Sequence, residues 1–436
     1  AYTSFGVITA YYAGFMIPTL YHIPNYRYHG RRMYTNKPPC GAMRGHGVPQ
    51  PRFAFESLLD MLAEEIGMDP IDIRMANAMD PNTRTVNDLD VLSCEFKATL
   101  NTVREHSGWD FKHGKLPFGR GVGIGSGGFV SGAGYPIYRS QFPHSNAIIR
   151  ILEDGEGATL MIGAAEIGQG SDTVLAQMAA EVVGVGTEDI LVYSSDTDMT
   201  PFDTGAYASS TTYISGMAVK RAAEGVREQI LDRASELLEV PAGTIDLHDR
   251  AAWAEDGRSV SLETIALSTL HQRAQHQIMS TASYVSPESP PPYAAQFAEV
   301  EVDIETGQVT VQRLVMAVDC GVPINPVTAS GQVEGGLIQA LGYTICEEMV
   351  YDESGRLLTT DLRDYKIYAA DEVPDMGVIL VQTYEPSGPY GAKAEAEIPK
   401  DAVAPAVASA IEHATGIRIR SLPFTPERVW RALKSE

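Results

Sequence analysis

The run "AQFAEVEVDIETGQVTVQRLVMAVD", residues 295–319, constrains the fold most. Apolar and polar residues alternate on both sides of "ETG", the period of two that a β-hairpin needs. "NAIIRILEDGEGATLMIG" (146–163) predicts two further strands around a Gly-containing turn, and "GVILVQTY" (377–384) predicts another. Helical spacing appears elsewhere. In "RFAFESLLDMLAEEIGMDPIDIRMANAM" the apolar positions Phe55, Leu58, Leu59, Leu62 and Ile66 predict a helix with that face inward. Asp69 before Pro70 predicts an N-cap with proline at the first helical position. "SDTVLAQMAAEVVG" predicts a helix capped by Ser171 or Asp172, and "GMAVKRAAEGVREQILDRASELL" a long amphipathic one. Further helices are expected near Gly331 and Pro399. Strands mixed with helices predict an α+β, multi-lobe chain. With the Pro-rich "SPESPPPY" (286–293) as a boundary, the expected lobes are 1–115, 116–290 and 291–436.

At 436 residues the chain can bury proper cores, and 44% hydrophobic with 20% charged residues is an ordinary globular balance. A net charge of -23 argues against nucleic acid and anionic membrane surfaces as partners. Cys40, Cys94, Cys320 and Cys346 form no CxxC pair, so no zinc or local iron–sulfur motif is present. So few cysteines in so long a chain favour a reduced, cytoplasmic setting. The opening stretch is apolar but broken by Thr, Gly and Pro and lacks a basic start, so neither a signal peptide nor a membrane span is expected there. It has the character of the middle of a domain.

Four Gly-rich segments carry polar groups among small residues. "CGAMRGHGVPQ" offers Arg44 and His46; "GAAEIGQGSDT" sets Gln169 between Gly168 and Gly170, directly before a helix; "TGAYASSTTYISGMA" presents a hydroxyl cluster; "SGQVEGG" offers Gln332. Glutamine presents a donor and an acceptor together, which suits a ligand with a heterocyclic edge. Helix N-termini and exposed backbone amides suit polar or anionic ligands. Any one of these loops alone is an ordinary tight turn. No GxxxxGK[ST] occurs, so a P-loop is unsupported. Finally, "PSGPYGAKAEAEIP" places Glu395 and Glu397 in an apolar tract, where a carboxylate is costly unless it is paired or has a task.

Taken in order, these segments resemble the molybdenum hydroxylase family of xanthine oxidoreductase, over nearly the whole chain. "IPNYRYHGRRMYTNKPPCGAMRGHGVPQ" resembles the family's stretch ending in an Arg-Gly-Phe-Gly type turn. "EIGQG" resembles its Gly-Gln-Gly loop, "DCGVPINPVTASGQVEGG" its Gly-Gln-x-Glu-Gly segment, and "GAKAEAE" the segment ending in its catalytic base. The resemblance implies an elongated, molybdenum-cofactor-binding α+β fold of the xanthine oxidoreductase type. It implies Glu397 as the general base. Arg44, Gly168, Gln169, Gly170, Ala208, Ser209 and Gln332 are implied as cofactor-binding residues, and Tyr12, His46 and Ser126 as pocket positions. The metal is implied to be held by the pterin's dithiolene, with no protein side chain ligating it directly.

Two departures bear on substrate. His46 stands where xanthine oxidoreductase has an aromatic ring, and a second ring is expected to be missing near Ser126. Tyr12 replaces a purine-orienting arginine. A flat purine would lose its stack and its polar anchor. The resemblance implies hydroxylation of an aromatic or N-heteroaromatic compound. The alternative direction is reductive dehydroxylation of an aryl-CoA, since several segments resemble the large subunit of 4-hydroxybenzoyl-CoA reductase. A non-catalytic scaffold is the competing expectation, and retention of Glu397, Gln169 and Gln332 weighs against it. The implied cofactor is a molybdenum pterin, with the cytosine dinucleotide among its forms. The implied partners are a chain supplying the N-terminal half of the molybdenum subunit, a [2Fe-2S] chain and a FAD chain.

Overall fold

The computed structural model describes residues 8–38, 41–134, 136–139, 142, 144–271 and 275–435, so Cys40 and the first seven residues lie outside the described residues. The chain forms two compact units: one comprises Ala1–Val130, Pro290–Tyr384 and Glu395–Glu436, the other Ser131–Ser289 and Glu385–Ala394. In the first unit the chain runs through helices α1 (Thr9–Met16), α2 (Pro49–Ile66), α3 (Pro70–Asn77) and α4 (Phe96–Ser107) to strand β1 (Arg120–Gly128). The second unit contributes β2 (Ser145–Ile151), β3 (Ala158–Ile162), α5 (Ser171–Val183), β4 (Ile190–Ser194), α6 (Gly216–Leu238) and β5 (Met279–Tyr284). Back in the first unit come β6 (Tyr293–Val302), β7 (Val309–Asp319), α7 (Pro326–Ile345), β8 (Asp375–Val381) and α8 (Val403–Thr415).

The expected hairpin is the centre of the first unit. β6 and β7 pair antiparallel, with a bulge between Glu299 and Val300, and the sheet order is β8-β7-β6-β1. α4, within residues 1–115, packs on β6 and β7, and β1 pairs with β6 along its length, so parts of all three expected segments lie in the first unit. The unit boundary at Ser289–Pro290 does fall inside "SPESPPPY". The second unit has its own four-stranded sheet, order β5-β2-β3-β4.

β1 reads "RGVGIGSGG", and its alternate glycines have one physical cause. A Cβ at Gly121 would lie 2.0 Å from the Ala410 carbonyl, and one at Gly123 would lie 2.1 Å from that of Ala406. Only glycine lets the alanine-rich α8 press its backbone onto the strand. That contact anchors the segment just before α8, which carries Glu397.

α2 corrects the sequence expectation. It buries Arg52, Glu56, Asp60 and Ala63, while Leu58, Leu62 and Ile66 are 54%, 54% and 60% exposed. Phe55 and Leu59 do pack against the core. The polar face is inward because its charges are satisfied there. Glu56 accepts hydrogen bonds from Tyr21 Oη (3.0 Å), Arg74 Nε (2.9 Å) and the Ser126 amide (2.9 Å), and Arg74 also donates to Asp60 (2.7 Å). Asp69 caps α3 by accepting from the Ile71 amide, with Pro70 at the first position.

Candidate active site

In the first unit the loop after α1 meets both the start of α7 and the turn before α8. Gly45 and Gly47 have left-handed backbones, φ +72° and +78°. A Cβ on Gly47 would lie 2.5 Å from the Thr9 carbonyl, so this bend requires glycine. The loop aims Arg44 at α7, where Nη1 donates to the Gln332 carbonyl (3.0 Å) and Nη2 to Gln332 Oε1 (2.9 Å). Arginine only donates, so the Gln332 oxygen must face it and the amide nitrogen is turned to other acceptors. Asn325 caps α7 through the Val327 and Thr328 amides, which fixes where Gln332 falls along the helix. The His46 amide donates a long bond to Glu397 Oε1 (3.5 Å), and Glu397 supports the charge on Arg44 against its burial. Arg44, His46, Gln332 and Glu397 are therefore brought together. Arg44 also lines a cavity of about 310 Å³ with Gly335, Ile338, Gln339, Glu347, Ile367 and Tyr368.

Tyr12 and His46 are likewise neighbours, their rings stacked 5.7 Å apart at 27°, with His46 Nε2 2.7 Å from Thr9 Oγ1. Burial lowers the His46 pKa and keeps the ring neutral near pH 7. Phe129 also stacks on Tyr12, at 5.9 Å and 10°. A flat guest between two rings needs about 7 Å, two ordinary carbon contacts. Neither the His46–Tyr12 pair nor the Tyr12–Phe129 pair leaves such a slot. Ser126 is not part of this stacking. Its amide is bonded to Glu56 and its side chain is buried in the sheet core, facing the other way from its neighbours Gly125 and Gly127.

The remaining expected cofactor residues lie in the second unit. Gly168 and Gly170 have φ +97° and +81°, and a Cβ on Gly168 would meet nothing within 4 Å, so this backbone is open to a ligand. Gln169 folds into its own loop, donating to the Ala165 carbonyl (2.8 Å) and Ser171 Oγ (2.9 Å) and accepting from the Ile167 amide. Neither Ser171 nor Asp172 caps α5. That work falls to Glu166, which accepts from the amides of Gly168 (2.7 Å), Gly170 (3.1 Å) and Asp172 (3.1 Å). Those bonds and Ser171 outweigh the effect of desolvation and lower the Glu166 pKa. The anion-attracting N-terminus of the helix is thus filled by the protein's own carboxylate. Ala208 and Ser209 adopt consecutive left-handed conformations, φ +50° and +54°, just before a single π-turn (Thr211–Ser215) at the start of α6. Strained backbone and π-turns concentrate at functional sites.

Glu395, two residues before Glu397, faces Cys320. Burial pushes its pKa up to about 7, while the Cys320 thiol works in the opposite direction. Phe129, Glu166, Lys400 and Asp401 were not singled out in the sequence. The first two lie beside loops that were, and a glutamate two residues before a Gly-x-Gly that opens a helix is a legible capping signal. Among the described residues no group of three or more His, Cys, Asp or Glu side chains could hold a metal ion, and no helix is long and apolar enough to cross a membrane. None of Cys94, Cys320 and Cys346 is in a disulfide.

The first unit thus gathers Arg44, His46, Gln332 and Glu397, and the second carries the Gly168–Gly170 loop and the left-handed pair Ala208–Ser209, in an α+β chain. Residues 1–78 and 102–374 match two models described as molybdopterin cofactor-binding domains. The chain belongs to the molybdenum hydroxylase family. It is 34% identical over 443 residues to a putative xanthine dehydrogenase molybdenum-binding subunit of Escherichia coli K12, covering 99% of this chain and 58% of that one. It is 30% identical to subunit gamma of the 6-hydroxypseudooxynicotine dehydrogenase complex of Paenarthrobacter nicotinovorans, covering 94% and 53%. Among solved structures it is similar to quinoline 2-oxidoreductase from Pseudomonas putida 86, with a TM-score of 0.90, 28% identity, and coverage of 98% and 57%. The chain spans about half the length of the relatives it matches.

Proposed function

We propose that this chain is the base-bearing part of a molybdenum-pterin oxidoreductase that hydroxylates an aromatic or N-heteroaromatic substrate with oxygen derived from water. The observation that carries this is the placement of a partly accessible Glu397 carboxylate against the His46 amide and within electrostatic reach of Arg44. The residues fit a pterin. Gln332 has its oxygen pinned by Arg44 and its nitrogen turned to a ligand's acceptor, and Gly168 offers unobstructed backbone. In the second unit Gln169 would reach a ligand only by leaving Ala165 and Ser171. Ala208 and Ser209, with left-handed backbones, belong to the proposed cofactor-binding residues of the second unit.

When bound, the pterin-held molybdenum supplies the oxygen-transfer and two-electron chemistry. Glu397 accepts the proton lost as the oxygen nucleophile forms, and the His46 amide and Arg44 hold that carboxylate in place. The His46 ring, stacked on Tyr12, which in turn stacks on Phe129, lines this part of the proposed site. Relatives named for quinoline and for a nicotine-derived compound support an N-heteroaromatic substrate. The cytosine dinucleotide form of the cofactor and chains carrying [2Fe-2S] and FAD belong to the same proposal.

The test is Glu397→Gln in the purified complex, assayed with free N-heteroaromatics and with aryl-CoA thioesters. Turnover of the heteroaromatics should fall by about 10²–10⁴-fold with assembly and molybdenum content intact. Undiminished turnover would remove Glu397 from the chemistry. Reduction of the thioesters in place of oxidation of the heteroaromatics would reverse the direction assigned.

A further inference from the structure

We propose that Glu166 is a positioning residue for the cofactor loop of the second unit: its carboxylate gathers the loop's amides and holds Gly168 outward in the left-handed form that receives the pterin. The inference rests on the reading of this loop as cofactor-binding and adds the group that shapes it. Glu166 is half-buried and stands two residues before Gly168. Its Oε1 accepts from the amides of Gly168 (2.7 Å) and Gly170 (3.1 Å). Its Oε2 accepts from the Asp172 amide (3.1 Å) and the Ser171 hydroxyl (3.2 Å). One carboxylate therefore takes every one of these donors from residues 168–172.

The donors converge because Gly168 and Gly170 both turn left-handed, which swings nearby amides to one side. The Ile167 amide is satisfied within the loop as well, by Gln169 Oε1 (2.6 Å). The buried Ser171 hydroxyl accepts from Gln169 Nε2 (2.9 Å) and donates to Glu166, so the two long side chains of the loop are joined through one oxygen. Ser194 at the end of β4 donates to Asp172 (3.0 Å) and ties the arrangement to the sheet. What the loop turns outward is the Ile167 side chain, 76% exposed, and Gly168, where a Cβ would meet nothing within 4 Å. The bond to Gly168 lies outside α5, which begins at Ser171, so it adds nothing to the helix cap and acts on the loop alone. Bonds to a carboxylate are the strong kind, and glycine has no side chain to resist rotation once they are lost.

The experiment compares Glu166→Ala and Glu166→Gln in the purified complex with Asp69→Ala, which removes the cap of α3 in the first unit. One readout is the rate at which molybdenum is lost per chain. The other is hydrogen exchange across residues 163–173 in the same complex after its cofactor is removed. Glu166→Ala should speed cofactor loss by roughly 10–100-fold, as when a group that orients a ligand-binding residue is deleted, and should unprotect the loop. Glu166→Gln should fall between, because its oxygen still accepts from Gly168 and Gly170 while its nitrogen cannot accept from Asp172. Asp69→Ala should lower Tm and leave both readouts at the wild-type value. If Glu166→Ala lowers Tm but moves neither readout, Glu166 is a helix cap only and the proposal is refuted. Should Glu166→Ala fail to assemble, unchanged readouts in Glu166→Gln refute it equally. A wild-type complex without molybdenum overturns the cofactor reading of the loop, and the role of Glu166 falls with it.

Discussion

Arg44 and Gln332, 288 positions apart, are joined by two hydrogen bonds from one guanidinium, to the backbone carbonyl and to the side-chain oxygen of the same glutamine. That fork holds the carboxamide oxygen, and with it the orientation of the amide group. A lysine offers a point charge and cannot make both bonds in a fixed plane. Arg44→Lys should therefore cost about 1.5 kcal/mol of cofactor binding, roughly tenfold in retention. Molybdenum per chain after gel filtration measures it, with circular dichroism unchanged.

The glycine stripe of β1 lies directly against the backbone of α8. Gly123→Val should yield no folded protein, because its Cβ would sit 2.1 Å from the Ala406 carbonyl and α8 cannot retreat without leaving Gly121 and Gly125 as well. Gly377→Ala is the control. Its Cβ would meet Val315 at 3.6 Å, an ordinary contact, so stability should change by less than about 1 kcal/mol. Soluble yield and denaturant midpoints separate the two.

Glu56 is fully buried with Arg52 and Arg74 beside it. Glu56→Ala strands two buried guanidinium groups and frees the Ser126 amide and Tyr21 hydroxyl. A loss of about 3–5 kcal/mol in urea unfolding is expected, as for a buried pair missing one partner. Replacing exposed Leu62 on the same helix by Ala should change the same measurement by less than about 1 kcal/mol.

Glu395 supplies a pH signature. Its folded pKa is raised from an ordinary 4.5 to about 7, chiefly by desolvation. A raised carboxyl favours the folded state in its neutral form, so its contribution is full below 4.5 and is lost as pH rises through about 7. Glu395→Gln should thus gain Tm relative to wild type on going from pH 5 to pH 8. A Tm difference that stays constant across this range would show that Glu395 is solvated or paired as an anion.

Short-range physics was legible in the chain. The β6–β7 hairpin follows from period-two alternation around "ETG", and the Asp69–Pro70 cap from two adjacent residues, because each depends on neighbours a few positions away. The same holds for Gly45 and Gly47, and for a carboxylate at 397 set among alanines. Other features required distant partners. α2 carries two stripes, leucines and charges, and periodicity alone favours burying the leucines. The charged stripe goes inward because Arg74, Tyr21 and the Ser126 amide, 18, 35 and 70 positions from Glu56, satisfy it in the core. Phe129 stacks on Tyr12, a contact between residues 117 positions apart that no local pattern announces. The alternating glycines of β1 acquire meaning only once α8 lies on them. By itself the sequence determined which local elements form and which residues have the chemistry of a base and its cofactor loops. Only the tertiary structure decided which face of each element is buried and which charges stand beside Glu397, because burial and electrostatic contact are properties of pairs far apart in the chain.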